Sequence, residues 1–243
     1  MIKHYGLIGY PLTHSFSPAY FSNKFRQEDI DAVYEKYELK DISEFSKLVR
    51  VRPEIQGLNV TIPYKQAIIP FINELSEEAK AISAVNCIAF KDGKLKGHNT
   101  DVVGFEKSLL PLLKPSHQKA LVLGTGGSSL AVRYVLDRIN IPYQLVSRTK
   151  SPTTITYDEV AEAILKESLI IVNTTPLGMF PNVENCPPLP YPALTSAHIL
   201  YDLIYNPAET KFLALGKMQG AYIKNGWEML QLQAEASWNI WNT

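Results

Sequence analysis

Ala120-Leu121-Val122-Leu123-Gly124-Thr125-Gly126-Gly127-Ser128-Ser129 is the stretch whose reading decides the fold. Four consecutive apolar residues bounded by glycine read as a short strand buried on both faces. Gly124 to Gly127 supply a tight turn, and beyond it Val132, Val135, Leu136 and Ile139 share one face of a helix. Strand, glycine turn and helix in that order make a dinucleotide loop. Glycine lets the backbone approach a pyrophosphate, whose charge then meets the N–H groups of the first helical turn. Ser129 takes the third fingerprint position, where Gly or Ala is usual, so helix and strand pack slightly less closely there. An ordinary βα turn also needs glycine; the flanking strand and helix favour the cofactor loop.

Moving outward, the next strand, Tyr143–Ser147, ends in Ser147-Arg148-Thr149-Lys150 and carries no acid. An NAD site offers Asp or Glu about 20 residues on, to hold the ribose diol. A guanidinium and an ammonium suit a 2′-phosphate instead, which favours NADP(H) over a merely solvated basic turn. Further strands are expected at Leu169–Asn173, Ile199–Asp202 and Ala221–Ile223, with Pro181–Pro192 as a proline-rich loop. Leu230, Ala234, Trp238 and Trp241 form an apolar stripe on a C-terminal helix.

Upstream, strands are read at Tyr5–Gly9, Val33–Leu39 and Leu58–Ile62. A helix is expected from Ser17-Pro18, with Phe21 and Phe25 on its apolar face. Helical segments follow near 41–50 and 64–83, and a hairpin turns at Asp92-Gly93. Val102, Phe105 and Leu109 then mark a helix. The expected fold class is α/β with two domains. Residues 1–101 and 227–243 form a mixed-sheet substrate domain, 102–226 a Rossmann-like NADP-binding domain, and the C-terminal helix returns to the first.

Composition removes several classes of function. Lys+Arg and Asp+Glu are balanced at 24 each in 243 residues, which leaves no electrostatic footprint for nucleic acid or an anionic membrane. Cys87 and Cys186 stand alone, with no Cys/His cluster to hold a metal. The N-terminus lacks a signal-peptide pattern and no apolar run is long enough to span a bilayer. The expectation is a cytoplasmic protein, monomer or homodimer, acting on a small molecule.

Three polar clusters follow strands of the first half, where open α/β sheets place ligands. They are His14-Ser15-Phe16-Ser17-Pro18, Asn59-Val60-Thr61-Ile62-Pro63-Tyr64-Lys65, and Asn86 with Asn99-Thr100-Asp101. Singly, each has a plain explanation as a cap or turn former. Together they supply hydroxyls, amides, one ammonium and one carboxylate, a lining for a small polyhydroxylated acid.

These segments resemble those of the shikimate dehydrogenase family, NADP-dependent enzymes of aromatic amino-acid biosynthesis, and the resemblance spans nearly the whole chain. It extends to Asn173-Thr174-Thr175, Gly178-Met179, Tyr201-Asp202-Leu203-Ile204-Tyr205-Asn206-Pro207 and Gly226…Met229-Leu230…Gln233-Ala234. The resemblance implies that Ser15 and Ser17 hold a substrate carboxylate and that Asn59, Thr61, Asn86, Tyr205 and Gln233 contact substrate. It makes Lys65 and Asp101 the catalytic pair, and gives the cofactor to Gly124, Gly126, Gly127, Ser128, Arg148, Thr149, Lys150, Thr174 and Gly226. The implied reaction is reversible reduction of 3-dehydroshikimate to shikimate, hydride coming from NADPH and the proton from Lys65.

The chain departs from the family pattern at several places. Cys87 stands where Thr is common, His98 where Asp usually precedes N-T-D, and Ser147 where Asn precedes R-T. Pro152 takes an often basic position, which weakens the phosphate clamp unless Lys150 substitutes, and Glu228 replaces a glycine. Rival readings are a quinate/shikimate dehydrogenase preferring NAD, a methylenetetrahydrofolate dehydrogenase, and a non-catalytic NADP(H)-binding regulator. The paired serines oppose the first two, and retention of Lys65 with Asp101 opposes the last.

Overall fold

A computed structural model describes residues 2–13 and 15–243, so His14 of the first polar cluster lies outside the described residues. The chain divides into two units, Met1–Gly104 with Leu230–Thr243, and Phe105–Met229.

In the first unit β1 (Lys3–Gly9) leads into α1 (Phe16–Gln27), β2 (Ala32–Glu38), α2 (Phe45–Val51) and β3 (Ile55–Val60). A short β4 (Glu74–Leu75), α3 (Glu77–Ile82), the hairpin of β5 (Cys87–Lys91) and β6 (Lys94–His98), and α4 (Thr100–Leu109) follow. The sheet order is β2-β1-β3-β5-β6-β4. The first three strands run parallel, and β5 is antiparallel to both its neighbours. Asp92 and Gly93 both take positive φ at the hairpin tip, the geometry that joins two strands by a two-residue turn. Tyr5 to Gly9 are all buried because layers cover both faces of β1. Tyr5, Leu7, Phe21, Phe25 and Tyr34 pack on one side with Trp238 and Trp241, while Ile8, Phe45, Leu58, Ile68 and Ile88 pack on the other.

The second unit contains β7 (Ala120–Leu123), α5 (Gly127–Arg138), β8 (Tyr143–Ser147), β9 (Thr154–Thr156) and α6 (Glu162–Glu167). Next come β10 (Ile170–Asn173), β11 (Ile199–Asp202), α7 (Lys211–Met218), β12 (Tyr222–Lys224) and the start of α8 (Trp227–Trp241). All six strands are parallel in the order β12-β11-β10-β7-β8-β9. The order reverses between β7 and β10, so the crevice beyond their carboxyl ends is the switch point where such sheets bind ligands. Among the described residues no helix is long and apolar enough to cross a membrane.

The structure corrects some expectations. Helix α1 starts at Phe16 with Ser15 as its N-cap residue, so Pro18 falls third in the helix rather than first. Pro has no N–H to lose anywhere in a first turn, and the earlier start is tolerated. No long helix spans 64–83. Pro70 enters a single 3₁₀ turn, Glu74-Leu75 pairs with β6 along the sheet edge, and only the last six residues before Ser83 are α-helical. Strand β3 ends at Val60, and β9, α6 and α7 are elements that the apolar pattern did not announce.

Candidate active site

Beyond the carboxyl end of β3 the chain makes a succession of turns. Tyr64 N–H donates to the Thr61 carbonyl at 2.9 Å, and the buried Tyr64 hydroxyl donates to the Leu39 carbonyl at 2.6 Å. These bonds fix Lys65. Its Nζ lies 2.6 Å from Asp101 Oδ2, with the lysine side chain 32% exposed and the aspartate 13%. Asp101 sits in the first turn of α4, where the helix dipole favours a carboxylate. The helix start is held by Asn86, whose Oδ1 accepts from Thr100 N–H at 2.7 Å and from Thr100 Oγ1 at 3.2 Å.

Asn59, also at the end of β3, is saturated by its neighbours on one side. Its Nδ2 donates to the Asn86 carbonyl at 3.2 Å and to Ser237 Oγ at 2.9 Å, and its Oδ1 accepts from the Tyr34 hydroxyl at 2.8 Å. Ser17, half-buried on α1, hydrogen-bonds Tyr34, whose hydroxyl burial pushes well above its ordinary titration range. Ser15 makes no capping bond with its side chain. Thr61 and Gln233 are half-buried in the same unit. The first unit thus gathers Ser17, Asn59, Lys65, Asn86 and Asp101 through short contacts. Tyr205 belongs to the second unit, its ring 6.2 Å from that of Trp227.

In the second unit a cavity of about 410 Å³ lies beyond β7, β8 and β10, lined by Gly124–Gly126, Ser147, Arg148, Tyr157 and Thr174–Leu177. Gly124 takes φ +102°, and a Cβ there would meet Thr174 Oγ1 at 2.8 Å. A Cβ on Gly126 or Gly127 would meet nothing within 4 Å, so the mouth of α5 is open to a ligand. Ser129, fully buried at the third fingerprint position, turns its Oγ back to the Gly126 carbonyl at 2.7 Å. These features fit a dinucleotide: a turn at a positive-φ glycine, an open helix N-terminus and one lining cation.

The basic turn after β8 divides its two cations. Arg148 is exposed, lines the cavity and has no acidic partner among the described residues. Lys150 is ion-paired with Glu159 and is not part of the lining. Thr149, also exposed, donates its N–H to Ser147 Oγ at 3.3 Å. Thr174 donates its hydroxyl to the Leu123 carbonyl at 2.7 Å, which ties the loop after β10 to the end of β7. Ser128 lies in the first turn of α5. Gly226 stands apart from the cavity lining; a Cβ there would come within 2.1 Å of the Leu203 carbonyl oxygen.

A family model of the shikimate dehydrogenase substrate binding domain matches residues 7–88. A shikimate dehydrogenase (NADP(+)) of Caldicellulosiruptor bescii is 38% identical over 99% of this chain and 89% of its own length. The chain belongs to the shikimate dehydrogenase family. Among solved structures, the shikimate dehydrogenase of Aquifex aeolicus is 35% identical with a TM-score of 0.86, covering 99% of this chain and 92% of that one. That of Thermus thermophilus, in complex with NADP(H) and shikimate, is 28% identical with a TM-score of 0.87 over 99% and 93%.

Two members of the buried cluster were not singled out by sequence. Tyr34 reads in β2 like any core aromatic, and Ser237 sits in a helix whose visible signal is its tryptophans. Neither position carries a local pattern. Asp202 is legible only as part of the resemblance, yet it is fully buried and accepts from Asn173 Nδ2, Ile204 N–H and Thr210 Oγ1 at 3.1, 3.0 and 2.6 Å. Burial pushes its carboxyl up to about 6 despite these donors. Cys87 is buried against Ser237 and Trp241, and burial pushes its thiol up to about 12.

Proposed function

We propose that this member of the family reduces 3-dehydroshikimate to shikimate with NADPH, reversibly. The observation that carries the reading is the 2.6 Å contact between Lys65 Nζ and Asp101 Oδ2, set among amides and hydroxyls suited to a polyhydroxylated acid. We assign substrate recognition to Ser15, Ser17, Asn59, Thr61, Asn86 and Gln233 of the first unit, and Tyr205 is a further substrate contact that the family resemblance implies. Cofactor binding falls to the second unit. There Gly124, Gly126, Gly127 and Ser128 would cradle the pyrophosphate, Arg148 the 2′-phosphate, and Thr149, Thr174 and Gly226 would shape the loops around it. Lys150 supports that turn from its pairing with Glu159.

NADPH, when bound, supplies the hydride. Reduction of a ring ketone leaves an alkoxide, and Lys65 donates the proton to it at Nζ; in the oxidation direction the same nitrogen accepts it. Asp101 orients the ammonium through their 2.6 Å contact. The serines and asparagines fix the ring so that its carbonyl faces the donor, which is chiefly a positioning effect. The reading places the enzyme in the cytoplasm as a monomer or homodimer. One assay tests it: shikimate-dependent reduction of NADP, with quinate and NAD as alternatives. Preference for quinate with NAD, or no turnover with either substrate, overturns it.

A further inference from the structure

Deeper in the first unit, a run of side-chain hydrogen bonds joins residues that are far apart in sequence. Asn59 Nδ2 donates to Ser237 Oγ at 2.9 Å, Ser237 Oγ lies 3.2 Å from Thr100 Oγ1, and Thr100 Oγ1 lies 3.2 Å from Asn86 Oδ1. All four side chains are buried, Ser237 and Thr100 almost wholly. Each hydroxyl has one proton and each amide has a donor end and an acceptor end, so the direction of the chain is constrained. Asn86 Oδ1 accepts from the Thr100 N–H, which fixes that amide with its oxygen inward. The Thr100 hydroxyl then donates to it, and the single proton of Ser237 goes to the Gln233 carbonyl at 3.0 Å or to Thr100, so that Ser237 is left to accept from Asn59. The amide nitrogen of Asn59 must therefore be the end that faces Ser237. The Tyr34 hydroxyl, donating to Asn59 Oδ1, agrees with that orientation.

The consequence is opposite polarity at the two amides. Both protons of Asn59 Nδ2 are taken by Ser237 and the Asn86 carbonyl, so Asn59 can meet a ligand only through the remaining lone pair of Oδ1. Both lone pairs of Asn86 Oδ1 are taken by Thr100, while Asn86 Nδ2 has no acceptor among the described residues. We propose that Ser237 is a positioning residue that, together with the Asn86 carbonyl, holds the Asn59 amide in this polarity, so that Asn59 accepts from one hydroxyl of the substrate and Asn86 donates to another.

The inference rests on the proposed shikimate site, and the test separates the two. Ser237→Ala, and the closer-fitting Ser237→Cys, should raise the KM for shikimate about tenfold, the effect of losing one hydrogen-bonded orientation. The KM for NADP should stay within about twofold. In a cycle with Asn59→Ala, Ser237→Ala should add less than about twofold to the KM of Asn59→Ala alone, because the serine acts through that amide. Unchanged shikimate KM in both serine variants, or effects that multiply in the cycle, overturn the positioning role while leaving the activity intact. Should Ser237→Ala fail to fold, the cysteine variant carries the same comparison. A wild-type protein inert towards shikimate overturns the site and this inference together.

Discussion

Replacing Asp202 by asparagine removes a buried acid that ties together the carboxyl ends of β10 and β11. Asp202 holds Asn173, whose Oδ1 in turn accepts from Thr175 N–H at 3.0 Å and Thr175 Oγ1 at 2.7 Å, so the cofactor-side loop after β10 rests on it. Burial raises its carboxyl from 3.8 to about 6, against three donors that pull the other way. The sign follows from proton counting. Between those values the folded chain keeps a proton that the unfolded chain has lost. Stability therefore falls as pH rises through that window and is flat above it. A shift of about two units corresponds to about 3 kcal/mol. Relative to wild type, Asp202→Asn should thus gain about 2 kcal/mol of stability between pH 4 and pH 7, whatever constant offset the substitution brings. Hydrogen exchange of the β10 and β11 amides reads the local stability of this unit without assuming that both units unfold together. A difference between variant and wild type that does not change over that range refutes the account, since Asp202 would then ionise as freely folded as unfolded.

Three further outcomes are expected. Lys65→Ala or Asp101→Asn should lower turnover by about 10² to 10⁴ while NADPH binding, measured by fluorescence titration, stays nearly intact; near-wild-type turnover in either removes that residue from the mechanism. Arg148→Ala should raise the KM for NADP about 10- to 100-fold and barely move that for NAD, the loss of one charge-assisted contact, whereas equal effects contradict a phosphate role. Gly124→Ala, which forces a Cβ onto Thr174 Oγ1 at φ +102°, should weaken NADP binding at least about tenfold in the same titration, and wild-type affinity would show that the turn relaxes freely.

How far the sequence could be read depended on the range of the interactions. The unit from Ala120 to Arg138 was legible because an apolar run, a glycine turn and a helical stripe are all local signals. The hairpin at Asp92-Gly93 was legible for the same reason. The segment 64–83 was misread because its apolar residues suit a helix, while Pro70 and the pairing of Glu74-Leu75 with β6 act against one. At the site, Lys65 and Asp101 were nameable from their motifs, but only the fold brings them to 2.6 Å. Ser237 and Tyr34 were invisible. A buried serine in an amphipathic helix and a tyrosine on a strand gain meaning only from partners that are distant in the chain.

A chain with no net charge binding anionic ligands raises the question of where its local charge comes from. In both units the candidate ligand groups stand beyond the carboxyl ends of parallel strands, after β1 and β3 in one and after β7, β8 and β10 in the other. In each, one acid is paired in place: Asp101 by Lys65, and Glu159 by Lys150. That pairing removes the carboxylates that would repel a phosphate and leaves Arg148 unpaired among the described residues, beside the open start of α5. Lys150 could not substitute for Arg148 without releasing Glu159 next to the same site. On the proposed reading the 2′-phosphate preference rests on one guanidinium and is held down by the acid that keeps its neighbouring lysine occupied. Glu159→Gln should free Lys150 and lower the KM for NADP more than that for NAD, as measured by steady-state kinetics with each cofactor. An equal change for both cofactors would mean that the lysine never reaches the phosphate.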